Sequence, residues 1–172
     1  MTETPVSSSV TGLVAGELRS GKSVRLEVGS SSMAPTLKPG DILTVTPLGA
    51  RPVRCGEMVV MRCEAELLAH RVLRILEDGG NRRLVCCGDR SGTADLPVAA
   101  EQILGRVTMR TRGNKTIRFD SGWGRMTRYP AVCAKRLELF GRTWVRVLRK
   151  ARAGSRISTS AIRRDSVCVV HE

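Results

Sequence analysis

The sequence predicts a mainly β protein of coiled antiparallel sheets, followed by a basic amphipathic helix towards the C-terminus. Three observations predict it. Short apolar segments recur from residue 23 to residue 110 with turn residues between them, the spacing of consecutive strands rather than of a β/α repeat. A chain of 172 residues with 41% hydrophobic side chains can bury one ordinary core. Beyond Tyr129 the apolar period lengthens from that of a strand to that of a helix.

Taken in order, residues 1–9 are expected to be disordered, and VTGLVAGELRSG to form a short helix that ends at Gly21. SVRLEV alternates and predicts a strand leading into the polar loop GSSSMAPTLKPGD, Gly29 to Asp41. DILTVTPL is the next strand, RPVRCGE a turn, and MVVMRC a buried strand. ELLAHRVLRIL is continuous enough for strand or helix, but the turn EDGGN and the strand RRLVCCG after it favour a hairpin. GDRSGTADLP is a loop with two acids, and ILGRVTMR a returning strand. The β domain is thus expected over residues 10–110, a basic extension over 111–150 and a flexible tail over 151–172.

In the extension, Cys133, Leu137, Phe140, Trp144 and Leu148 recur at steps of four, three, four and four, with Lys135, Arg136, Arg142, Arg146, Arg149 and Lys150 between them. That is an amphipathic basic helix over 131–150, which either packs on the domain or lies in an anionic membrane interface. Charge follows the same division. Residues 1–109 hold 13 basic and 12 acidic side chains, and residues 110–164 hold 16 basic and 2 acidic. Such a segment is drawn to lipid headgroups or to phosphate backbones alike. Nucleic acid is the less expected partner, because aromatics are only 3% of the chain and nothing before the serine loop is long enough for a helix-turn-helix.

Other classes are disfavoured by what the chain lacks. Six cysteines without a C-x-x-C pair, and only two histidines, give no zinc-ligand spacing, so no metal or other cofactor is expected. No secretory signal and no apolar run of membrane-spanning length is present, which predicts a cytoplasmic protein, peripheral to the membrane at most. GELRSGKS, Gly16 to Ser23, matches a phosphate-loop pattern, but a helix enters it and a strand leaves it. That order is the reverse of what converges N–H groups on a phosphate.

The loop Gly29 to Asp41 is where chemistry is expected. A serine hydroxyl becomes a nucleophile only when a base takes its proton and donors meet the oxyanion that forms. His171 is the penultimate residue, which leaves His70 as the one well-placed imidazole; alone, a histidine in LLAHRVLRI would be read as a core residue. The alternative base is a neutral lysine, Lys22 or Lys38, although neither lies in an apolar strand. A histidine base predicts activity rising through roughly pH 6–7, and a lysine base a more alkaline profile.

GSSSMAPTLKPGD resembles the serine box of the type I signal peptidases and of the related LexA-type self-cleaving proteins. By that resemblance the nucleophile is Ser32, directly before the Met, and Ser30 helps to bind the oxyanion. Ser31 stands where the family commonly has Gly. CGEMVVMR is similar to the next strand, with Glu57 in place of Asp. His70-Arg71-Val72 resembles the His-Arg-Val box of the endoplasmic-reticulum and archaeal branch. GDRSGTAD is similar to the Gly-Asp-Asn-Asn box of that branch, with Arg90 and Ser91 in place of the two Asn; it implies Asp95 as the acid of the site and Asp89 as the competing candidate. ILGRV matches the closing strand. The resemblance covers roughly residues 12–109, and its force lies in the order of the boxes. It implies a serine endopeptidase cleaving a signal or leader peptide after small residues. The alternative is an inactive or LexA-like regulatory protein on the same fold, whose basic C-terminal region binds nucleic acid or anionic membrane.

Overall fold

The computed structural model describes residues 6–63 and 66–120, with the single position 137 beyond them. The basic helix expected over 131–150 and the tail expected over 151–172 therefore lie outside the described residues. Among those described, the order is one helix, α1 (Val6–Arg19), then strands β1 (Val24–Glu27), β2 (Ile42–Thr46), β3 (Met58–Cys63), β4 (Glu66–Asp78), β5 (Asn81–Cys87), β6 (Val98–Ala99), β7 (Ile103–Arg112) and β8 (Lys115–Arg118), with a 3-10 turn at Ala100–Gln102. The mainly antiparallel β class expected from the spacing is the class observed.

All eight strands join one antiparallel sheet: seven run in the order β1-β2-β7-β3-β4-β5-β6, and β8 pairs with β7 off that path. β7 is the hub. One of its edges takes β2, and the other takes β3 near Ile103–Arg106 and then β8 near Met109–Arg112. Register shifts in the β2–β7, β3–β7 and β4–β5 pairs add local twist, which lets the sheet coil.

MVVM in β3 is buried at every residue because the sheet is covered on both faces. Met58 and Val60 pack with Leu26, Val28, Leu43, Val45 and Val107, and with Val14 and Leu18 of α1. Val59 and Met61 point the other way, into a second cluster with Val53, Val72, Leu84, Cys86 and Ile103. ELLAHRVLRIL, open to either secondary structure from its sequence, is wholly strand: β4 pairs with β3 on one edge and β5 on the other. Gly16 lies inside α1, and β1 follows after Gly21, so the phosphate-loop pattern has the helix-then-strand order that disqualifies it.

Three boundaries differ from the sequence expectation. The helix starts at Val6, inside the segment expected to be disordered. β6 is too short to carry a period. β8 continues the sheet past residue 110 through a two-residue turn at Gly113-Asn114, where Gly113 has a φ of 52°. All four β8 residues are exposed, so apolar alternation could not announce it. No helix among the described residues is long and apolar enough to cross a membrane.

Candidate active site

The serine loop is tied at its neck and anchored by two apolar side chains. Val28 N–H donates to the Asp41 carbonyl, and Gly40 N–H to that of Val28. Gly40 takes a φ of 81°, which a side chain would resist. Inside the loop, Ala34 N–H donates to Ser31 O and Leu37 N–H to Met33 O, forming a single coiled turn. Met33 and Leu37 sink into the first core cluster. That anchoring leaves Ser30 and Ser32 only partly covered, and their hydroxyl oxygens lie 3.2 Å apart.

Asp41 fixes the far end of the loop. It is almost fully buried and accepts from Lys38 N–H at 2.8 Å and from Arg112 at 2.6 and 2.7 Å. Burial alone would raise its carboxyl. The hydrogen bonds from Arg112 and Lys38, with the charges of Arg112 and Arg110, outweigh that effect and hold it below its ordinary value.

His70 is delivered by β4 and lies opposite Val59 of β3. On the other edge Arg71 is paired with Cys87, so the next position along β5 in the same antiparallel register brings Gly88 alongside His70. Gly88 is the point of contact between strand and loop. A methyl group on its Cα would stand 2.6 Å from the Ser32 carbonyl oxygen and 3.2 Å from His70 Nε2. Only glycine allows that approach without moving the serine loop.

The loop after Gly88 folds back so that Asp95 N–H donates to Cys86 O at 2.9 Å. This sets the Asp95 carboxylate 2.6 Å from His70 Nδ1. His70 is 4% exposed, and its Nε2 is buried with no hydrogen-bond partner among the described residues. A ring whose Nδ1–H donates to a carboxylate carries its lone pair on Nε2, the form that can accept a proton.

Asp89, the competing acid, is placed elsewhere. Arg71 grips it with Nε and a terminal nitrogen, both at 2.7 Å, and the Thr36 hydroxyl donates to it. The same guanidinium donates to Gly56 O. Asp89 therefore links β4 to the serine loop, through Arg71 and Thr36. Of the two lysines weighed as bases, Lys22 is exposed and paired with Glu17 at 3.0 Å, and Lys38 is exposed at the loop surface.

The structure thus brings together Ser30, Ser32, His70 and Asp95 around Gly88. Several residues that shape the site were not assigned a role from the sequence. Arg71 and Thr36 tether the two loops through Asp89, and Arg90 touches the serine loop twice, by N–H to Ser32 O at 2.8 Å and by a guanidinium nitrogen to Ser31 Oγ at 3.2 Å. Cys87 lies under the acid loop with Sγ 3.2 Å from both Gly88 O and Thr93 O. The one available signal for Arg71 was its place in the His-Arg-Val box, which names the residue without naming its partner.

A comparison with curated proteins found no match. The family profile described as Peptidase S24-like matches residues 3–108, more than half of the chain, and its span includes every element that carries Ser30, Ser32, His70 and Asp95. This match and the resemblance carried by the serine, histidine and acid boxes agree on the LexA-like and signal-peptidase superfamily of serine peptidases. The chain belongs to the Peptidase S24-like family.

Proposed function

We propose that the chain is a serine endopeptidase of the Ser-His-Asp type that cuts an extended signal or leader segment after a small residue. The single observation that carries this reading is the His70–Asp95 pair at 2.6 Å, which leaves His70 Nε2 without a partner among the described residues, beside Gly88, the residue that the Ser32 carbonyl packs against. In the resting arrangement the Ser32 hydroxyl is paired with Ser30. Substrate binding turns it towards His70 Nε2, in keeping with catalytic hydrogen bonds that tighten only in the complex.

Ser32 Oγ then attacks the peptide carbonyl carbon and its proton passes to Nε2. Asp95 steadies the imidazolium that results. The Ser32 N–H, unpartnered among the described residues, and the Ser30 hydroxyl receive the oxyanion; such donors are worth about 3 kcal/mol each in the barrier. Collapse expels the amine, which takes the proton from His70, and water releases the acyl group by the same steps in reverse.

The small-residue preference is supported by a hollow beside Ser32 with a volume of about 10 Å³, bounded by Val28, Leu37, Leu68 and Ala69 and by the two serines. That is about the space of one water-sized group, so a large side chain would not fit there as the loop stands.

The test is labelling by a fluorophosphonate, which acylates activated serines. The wild type is expected to be labelled at Ser32, with labelling lost in Ser32→Ala and in His70→Ala. An unlabelled wild type would return the chain to the inactive, regulatory reading.

We also propose that residues 131–150 hold the enzyme to anionic membrane, on the strength of their basic amphipathic spacing. Co-sedimentation with phosphatidylserine vesicles should fall on deletion of residues 129–172, and unchanged binding sinks the idea.

A further inference from the structure

Two departures from the signal-peptidase pattern touch each other. Ser31 stands where the family commonly has Gly, Arg90 where it has Asn, and Arg90 donates to Ser31 Oγ at 3.2 Å. Their contact spans 59 positions of sequence and lies beside the nucleophile, since Arg90 N–H also holds the Ser32 carbonyl at 2.8 Å. The guanidinium is exposed yet fastened at the lip of the site.

The charges around it leave this cation unmatched. Asp89, its neighbour in sequence, is taken by Arg71 and Thr36, and Asp95 by His70. Among the described residues Arg90 has no ion pair, and Ser31 is the one side chain it binds. Using one terminal nitrogen on Ser31 leaves other N–H groups of the fork for a ligand oxygen. A peptide lying across Ser32 would also exclude water here and strengthen attraction to a carboxylate.

We infer that Arg90, positioned by Ser31, forms a subsite for an acidic residue of the substrate close to the scissile bond. The inference rests on the peptidase reading above for its biological meaning, but the recognition itself can be measured without catalysis.

The probes are short blocked peptides, alanine-rich at the centre, with one Glu, Gln or Lys walked outward residue by residue. Binding is read by fluorescence anisotropy on the Ser32→Ala protein, and cleavage by mass spectrometry on the wild type. At one position Glu should bind about tenfold better than Gln, the size of a charge-assisted hydrogen bond at a partly exposed site. The preference should shrink with added salt. Arg90→Gln should abolish it, Arg90→Glu should transfer it to Lys, and Ser31→Gly, which frees the guanidinium, should weaken it.

Equal binding of Glu and Gln peptides at every position overturns the inference, as does a Glu preference that survives Arg90→Glu. The two readings separate cleanly. A Glu preference in binding with no peptide cleaved supports the subsite and overturns the peptidase, whereas cleavage without any such preference does the reverse.

Discussion

Gly88 lies so close to Ser32 that a single methyl group on its Cα would stand 2.6 Å from the Ser32 carbonyl oxygen, with His70 Nε2 3.2 Å away on the other side. Real carbon and oxygen atoms do not approach that closely. The close packing of the serine loop on the strand end beside His70 depends on this missing side chain.

Gly88→Ala is therefore expected to keep the strand pairing, since Gly88 lies past the end of β5, but to push the serine turn away from His70. Labelling by the fluorophosphonate should slow by about a hundredfold, the cost of a misplacement on the order of 1 Å. Labelling at the wild-type rate in a protein of unchanged circular dichroism would contradict this account of the site.

The two acids should separate by phenotype. Asp95→Asn removes the carboxylate that orients His70, so cleavage should fall by about 10⁴-fold with little change in denaturant midpoint. Asp89→Asn breaks a largely covered, two-pronged pair with Arg71 and should cost about 2 kcal/mol of stability. Urea unfolding and kinetics on both variants check the assignment, and the reverse pattern would exchange the roles.

Asp41 predicts a specific acid sensitivity. Its folded carboxyl is held below the ordinary value, so it contributes stability that is fully present above the unfolded pKa, about 3.9, and is lost as pH falls through the lower folded value. Wild-type stability should therefore drop more steeply below about pH 4 than that of Asp41→Asn, which starts lower at neutral pH. Urea midpoints followed from neutral to acid pH measure the two slopes, and parallel slopes would refute the assignment.

Cys86 should resist modification in the native protein. Burial, with Asp95 and Cys87 nearby, pushes its thiol up to about 12, so only about one molecule in ten thousand carries the thiolate at pH 8. Cys55 is exposed and should be alkylated first. Peptide mapping after brief iodoacetamide treatment, native and in urea, should find Cys86 modified in urea alone. Native modification as fast as that of Cys55 would show that the strand opens.

The residues that carry the proposed chemistry were legible in the sequence because three boxes occurred in order. The strands were legible where one or both faces are buried, as in DILTVTPL and MVVMRC. β8 was not, because all its side chains face water, and the start of α1 was not, because three consecutive serines, Ser7 to Ser9, separate Val6 from Val10 and read as a polar terminus.

By itself the sequence determined the β class and the polar turn of the serine loop, which follow from local period and turn chemistry, whereas His70 was singled out as the candidate base by the resemblance carried in the order of the boxes. Choosing between Asp95 and Asp89 required the tertiary structure. Both sit in one loop, and the difference is made by partners far away in the chain: Arg71 and Thr36 claim Asp89, and the β4–β5 register with the Asp95–Cys86 hydrogen bond carries Asp95 to His70. Contacts of that separation are fixed by how strands pair, which no local pattern encodes.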